Sequence, residues 1–171
     1  MSKPHTYIGD LSHLPKALHR LLTQRRFVVW RWKKRSKPDG SVVWTKPPYR
    51  CADPRQAAKS NDPSIWGTYQ EALVAVAAKQ ADGIGIMLKD SKLGAADLDH
   101  VREPATGVLL DWAQQLCDEA LHYGTYQEVT VSGCGLRFLG LIQGGEIHRK
   151  FTFDQQTGAG LELYRDCYRY I

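Results

Sequence analysis

The sequence predicts an α+β fold, a mainly antiparallel sheet with helices packed on one face. Three observations predict it. Short runs rich in β-branched and aromatic residues recur from Phe27 onward, neighbouring runs are separated by turn chemistry, and isolated helical stretches interrupt them before a strand-rich C-terminal half. A chain of 171 residues and 19.3 kDa is the size of one domain with a disulfide-free core. Hydrophobic residues at 43%, charged residues at 24% and a mean hydropathy of -0.41 exclude a disordered, collagen-like or coiled-coil chain.

The elements follow in order. Leu11, Leu14, Leu18, Leu21 and Leu22 lie at helical spacing, so residues 11–22 form a short amphipathic helix with His13 and His19 toward solvent. Residues 27–32 and 41–44 are strand-like and flank Lys37-Pro-Asp-Gly40, which predicts a hairpin whose tip carries Lys33, Lys34, Arg35 and Lys37 beside Trp30, Trp32 and Trp44. Lys46-Pro-Pro-Tyr49 lacks ladder donors at both prolines and is expected to leave the hairpin as an extended segment. Residues 61–66 read as a turn with a packed Trp66. Thr68-Tyr-Gln-Glu71 has capping-box spacing and opens a helix over 69–80. Residues 83–88 and 93–99, separated by Lys89-Asp-Ser-Lys92, predict a second hairpin. Residues 106–123 predict the longer helix, with Val108, Leu109, Trp112, Leu116 and Leu121 on its buried side. Residues 127–131, 136–142, 151–153, 161–164 and 168–171 read as strands, and the last is expected to continue into sequence absent here.

The net charge of +5 is unevenly spread. Residues 1–50 hold 12 Lys+Arg against 2 Asp+Glu, and residues 51–171 hold 11 against 16. The first third suits a polyanion and the remainder a cation, unless the charges are only solvated faces. No apolar stretch approaches the roughly 18 residues of a membrane span, and residues 1–10 lack the apolar core of a signal peptide, so a cytoplasmic protein without a membrane partner is expected. Cys51, Cys117, Cys134 and Cys167 lie far apart without zinc-type spacing and are expected to be reduced and mostly buried. A serine-hydrolase elbow, a Walker loop and a Rossmann glycine fingerprint are missing from the sequence.

Asp97-Leu-Asp99 is the sharpest chemical signal. Side chains two apart on a strand share a face about 6.5–7 Å apart, so both carboxylates project together while Leu98 anchors the other side. Such a pair either holds a hard cation with the help of substrate phosphates or is a pair of solvated strand-end acids. Glu162, between Leu161 and Leu163, points to the sheet face where Asp97 and Asp99 can meet it, and a third carboxylate would complete a two-cation site. Ser132-Gly-Cys-Gly-Leu-Arg137 joins two strands, leaving backbone N–H groups open to an anion and an arginine able to clamp phosphate, although glycine-rich hairpins also serve structure alone. His148-Arg-Lys150 is a basic cluster expected in a loop, and His100 is expected to point away from both aspartates.

Together with Trp44-Thr-Lys-Pro-Pro-Tyr49, Asn61-Asp-Pro, Trp66-Gly-Thr68, Asp82-Gly-Ile-Gly-Ile86, Asp97-Leu-Asp-His100, Glu162-Leu-Tyr-Arg165 and Arg169-Tyr-Ile171, these motifs resemble the N-terminal primase-polymerase domain of phage, prophage and plasmid replication proteins, in the archaeo-eukaryotic primase superfamily. The resemblance covers most of the chain from about Phe27. It implies one domain over 1–171, with a helical segment over 1–26 and a catalytic core over 27–171. It further implies template-directed transfer of nucleotides from nucleoside triphosphates to a DNA primer, with a helicase domain or subunit as a further partner. On this resemblance Asp97, Asp99 and Glu162 are catalytic and bind Mg²⁺ or Mn²⁺, while Ser132, Gly133, Gly135, Arg137 and His148 contact the triphosphate. Many relatives carry a histidine where Arg137 stands, so either Arg137 takes that contact, the preferred reading, or His148 supplies an imidazole. Lys33, Lys34, Arg35 and Lys46 are the candidates for template phosphates, and the neighbouring tryptophans serve the core or, where exposed, stack on an unpaired base. A divalent-metal nuclease and a non-catalytic nucleic-acid-binding replication module are the alternatives.

Overall fold

The computed structural model describes residues 2–7 and 16–171. It is α+β with antiparallel strand pairing throughout the named sheets, as the sequence predicts, but the strands divide among a three-stranded, a five-stranded and a two-stranded sheet. The chain forms two compact units, and each is described by itself.

The first unit comprises residues 16–87 with the chain ends 2–5 and 168–171. Its helix α1 spans Lys16–Leu22, with His19 exposed as expected; Leu11, His13 and Leu14 of the expected helix lie outside the described residues. Strand β1 (Phe27–Trp30) is buried on both faces. It cannot be the arm of an exposed hairpin, and it is instead the middle strand of the three-stranded sheet. The proline-limited β4 (Pro48–Tyr49) lies at one edge and β5 (Gly83–Ile86) at the other. One face presents Phe27 and Val29 to Ala72 and Ala75 of α2 (Tyr69–Ala77), and the other packs Val28 against Trp66 and Met87. Tyr170 lies so close to Gly85 that a Cβ there would meet its ring at 2.3 Å, which explains a glycine in an otherwise apolar strand.

The hairpin of this unit is shifted from the expected one. Its arms are β2 (Lys33–Ser36) and β3 (Val42–Thr45). The turn closes where Lys37 N–H bonds Ser41 O at 2.8 Å and the Asp39 carboxylate accepts from the Ser41 amide and hydroxyl, so pairing must begin at Ser36 and Val42. Thr68 and Glu71 form the capping box that opens α2. The helix stops three residues before the expected end because Lys79 turns left-handed (φ 56°), and the bonds Gln80 N to Ala75 O and Lys79 N to Val76 O close its C-terminus. Trp66 is packed as expected, after a 3₁₀ turn at Pro63–Ile65 capped by Asp62. Residues 168–171 do not form a named strand; Ile171 exchanges two backbone bonds with Ile86 beside a bridge between Tyr170 and Met87.

The second unit comprises residues 6–7 and 88–167 of the described chain. Its sheet runs in the order β7 (Tyr126–Val129), β8 (Leu136–Leu141), β6 (Leu93–Asp99), β10 (Gly160–Arg165) and β9 (Ile147–Thr152). The expected hairpin of 83–88 with 93–99 is not formed, since β5 pairs with β1 and β6 pairs with β8 and β10. His148, Arg149 and Lys150 lie in edge strand β9 rather than in a loop. Helix α3 covers Asp111–His122, starting five residues later than expected because the preceding segment folds back: Arg102 bridges Leu109, and Leu110 N–H bonds Val101 O. Its buried side is Ala113 and Cys117, with Leu109, Trp112 and Leu116 packed beside them over Leu98 and Leu136. Val108 and Leu121 are exposed, contrary to expectation. All four cysteines are unpaired; Cys51, Cys117 and Cys167 are buried and Cys134 is half-buried. No described helix is long and apolar enough to cross a membrane.

Candidate functional site

Strand alternation and register build one polar row across the five-stranded sheet. Glu128 stands opposite Arg137, Arg137 opposite Asp97, Asp97 opposite Glu162, and Glu162 opposite Lys150. Directly paired residues share a face, so one charged side chain from each strand joins a line running perpendicular to the strands. One position along, Leu98 pairs with Leu136 and Leu161, and all three pack on the α3 side. The apolar rank that fastens the sheet to the helix is thus what turns the charged rank to the opposite face.

Within the row the charges are tightly partnered. Arg137 Nε donates to Asp97 Oδ1 at 2.5 Å and Nη2 donates to Oδ2 at 3.2 Å, while Nη1 reaches Glu128 Oε1 at 3.2 Å. Lys150 Nζ and the Tyr164 hydroxyl each donate to a different oxygen of Glu162. The Arg137 and Asp97 side chains are each 16% exposed and that of Glu162 11%, whereas Lys150 remains 60% exposed. Burial disfavours the charged guanidinium of Arg137, but Asp97 and then Glu128 outweigh it, and the group is held more firmly protonated than a free arginine. Asp99, the last residue of β6, stands opposite Gly160. Its carboxyl is pushed above the usual carboxylate range by burial, then by the negative charges of Glu162 and Asp97.

Three of the expected residues, Asp97, Asp99 and Glu162, are therefore brought onto one face of two adjacent strands, with Arg137 beside them. As donors they suit a hard divalent cation, since all three are carboxylates on one face of adjacent strands. Among the described residues, however, no group of three His, Cys, Asp or Glu side chains is drawn together as a cage; Arg137 donates to both Asp97 oxygens, and Lys150 and Tyr164 donate to Glu162.

The Ser132 to Gly135 turn is more occupied than the sequence suggests. Gly133, left-handed at φ 77°, donates its N–H to Thr130 O at 2.8 Å, and the Cys134 N–H meets Ser132 Oγ at 3.4 Å, so neither amide is open to an anion. A Cβ on Gly135 would lie 2.4 Å from Leu98 O, so this glycine permits the turn to approach β6. Ser132 is exposed. His148 is exposed on the same strand face as Lys150, opposite Tyr164 and two pairing positions from Glu162, with its ring 5.0 Å from that of Tyr164. His100 is exposed and leaves the strand left-handed at φ 54°.

In the first unit, Lys33, Lys34, Arg35 and Lys46 line one open groove of about 450 Å³ together with Thr45 and Pro47. Lys34 Nζ stands 5.4 Å from the Trp44 ring, and Lys46 Nζ stands 5.4 Å from that of Trp32. Trp30 belongs to the core at 3% exposure, while Trp32 and Trp44 are half-buried.

Sequence reasoning missed Glu128 and Lys150 as parts of the row, and Tyr164 as a donor to Glu162. Lys150 was within reach of the alternation rule once 147–152 is read as a strand, because it shares parity with His148. Glu128 was not, since its meeting with Arg137 depends on register.

No protein-family model matches the chain. The chain is similar to the DNA primase-polymerase of Nitratiruptor phage NrS-1, with 34% identity over 133 residues, a match that covers 72% of this chain. It spans 17% of that protein's length. With an α+β, antiparallel fold and three carboxylates on one sheet face, this likeness supports a primase-polymerase domain.

Proposed function

We propose that the chain is a nucleotidyl-transfer domain of the archaeo-eukaryotic primase type, extending a DNA strand on a template from nucleoside triphosphates in phage or plasmid replication. The observation that carries the reading is the placement of Asp97, Asp99 and Glu162 on one sheet face beside Arg137. Asp97, Asp99 and Glu162 would hold Mg²⁺ or Mn²⁺. A bound cation of this kind lowers the pKa of an attacking hydroxyl and stabilises a pyrophosphate leaving group. Arg137 and Lys150 supply positive charge beside the carboxylates, where triphosphate oxygens would lie. The apolar rank of Leu98, Leu136 and Leu161 holds these side chains in place from beneath, which limits the reorganisation needed at the moment of reaction. The groove of Lys33, Lys34, Arg35 and Lys46 offers phosphate contacts, with half-buried tryptophans alongside. The whole replication protein's partners, a helicase among them, belong to the same proposal.

The test is a labelled primer-template reaction with deoxy- and ribonucleotides and with Mg²⁺ or Mn²⁺, run beside the folded Asp97→Asn/Asp99→Asn double variant. Template-directed lengthening that the variant lacks is the expected result. Shortening would assign the carboxylates to a nuclease, and lengthening by the folded variant would overturn the assignment of the site.

A further inference from the structure

The carboxylates that this reading gives to a metal are held by the protein's own cations. Both oxygens of Asp97 accept from Arg137, and one oxygen of Glu162 accepts from Lys150. The two cations flank the Asp97 and Glu162 pair on either side in a single rank of the sheet, so each carboxylate has its own counter-ion from the strand next to it. The Lys150 side chain is 60% exposed, so its charge can leave Glu162 without being stranded away from water, and the Arg137 guanidinium is shared with Glu128, which is 34% exposed. Glu128 therefore gives Arg137 a place to remain when Asp97 is taken away.

We propose that Arg137 and Lys150 are exchangeable counter-ions: they occupy Asp97 and Glu162 in the metal-free chain and are displaced toward the polyphosphate of the incoming nucleotide when a divalent cation binds. This inference rests on the reading of Asp97, Asp99 and Glu162 as metal ligands and adds a coupling to it. Metal alone must compete with two built-in cations and binds weakly. A metal bound to polyphosphate gives the displaced cations new partners and binds well. Because coupling free energies are reciprocal, the same exchange makes polyphosphate binding depend on the metal through the protein, beyond the affinity of the two ligands for each other.

The exchange is tested by calorimetric titration of the full chain with MnCl₂ alone and, separately, with the Mn²⁺ complex of inorganic tripolyphosphate. The variants are Lys150→Met, Arg137→Gln and Asp97→Asn/Asp99→Asn, each checked for folding by circular dichroism. Lys150→Met removes a mostly exposed side chain and keeps the test decisive should Arg137→Gln unfold. The expected result is Mn²⁺ binding about tenfold tighter in Lys150→Met and Arg137→Gln than in the natural chain, within the range usual for coupled sites, together with weaker binding of the Mn²⁺–tripolyphosphate complex. Mn²⁺ bound only by the two variants and not by the natural chain would support the exchange in its strongest form. If the natural chain binds Mn²⁺ through Asp97 and Asp99 but the folded variants bind it no tighter, the exchange is overturned and the metal site stands. If none of the proteins binds Mn²⁺, the metal reading fails and the exchange with it.

Discussion

Replacing Arg137 by Met keeps most of the side chain's volume and removes its charge, which isolates what the guanidinium does for the second unit. The bidentate contact with Asp97 at 2.5 and 3.2 Å joins two side chains that are each 16% exposed, so solvent screens it little. Breaking such a pair from one side leaves a mostly buried carboxylate, at a cost of about 3–5 kcal/mol. The second contact, to the more exposed Glu128, adds less, about 0.5 kcal/mol. Taking the lower bound for a pair that is not wholly buried, Arg137→Met is expected to destabilise by about 3 kcal/mol, a fall of roughly 6–12 °C in Tm for a chain of this size. Asp97→Leu should remove the orphaned charge, so the double variant should recover about 2 kcal/mol relative to the sum of the single changes. Urea unfolding of the four proteins measures the cycle. A coupling below about 0.5 kcal/mol would show that the two side chains do not meet, and with that the β6–β8 register and the polar row would be refuted.

Three more expectations follow from other parts of the molecule. Asp166 accepts from the Asp90 amide at 2.9 Å and from Lys89 Nζ at 3.1 Å, and these contacts hold its carboxyl below the usual range. A depressed folded-state pKa contributes stability above the unfolded value, lost as pH falls through the folded one; Asp166→Asn should therefore lower Tm at pH 7 with the deficit vanishing in strong acid, and a deficit independent of pH would contradict the contact. Burial, then the charge of Glu71, pushes the Cys51 thiol up to about 11, so iodoacetamide at pH 8 should modify half-buried Cys134 well before Cys51, as peptide mass spectrometry would show, and equal rates would refute its burial. Changing Lys33, Lys34 and Arg35 to Glu should weaken single-stranded DNA binding and reduce the slope of log K against log salt by about 2, near 0.7 for each phosphate no longer neutralised; an unchanged slope would mark these residues as merely solvated.

What was legible in the sequence is what is local in the chain. The Thr68 to Glu71 capping box needs only three residues' spacing, and the alternation of Asp97, Leu98 and Asp99 needs only that a strand be recognised. The α+β class followed from the same short-range signals. Pairing did not. Phe27-Val-Val-Trp30 looks like a hairpin arm until it is known to be buried on both faces, and the strands that pair with it, β4 and β5, begin 18 and 53 residues after Trp30. Likewise Arg137 was visible as a phosphate clamp, but not as the partner of Asp97 and Glu128, since that meeting depends on two independent registers. Val108 was misread because helical spacing cannot tell where a helix begins when the residues before it fold back, as they do here at Arg102 and Leu109; nothing in the structure explains the exposure of Leu121 in the last turn of α3.

The β2–β3 ribbon has a consequence for dynamics. All four residues of β2 are exposed, and among the described residues the ribbon is a sheet of two strands. Such a ribbon has little free energy of its own, so it should open more often than the strands of the five-stranded sheet, and its amides should exchange with solvent faster. Residues 33–36 can therefore serve as a reporter: a polyanion settling along Lys33, Lys34 and Arg35 would hold the ribbon closed and should be seen as newly slowed hydrogen exchange in that segment. Part of the binding free energy is consumed in that ordering, so short oligonucleotides that cover only the groove bear the whole ordering cost with few phosphates engaged, and affinity should climb steeply with length until the ribbon is spanned.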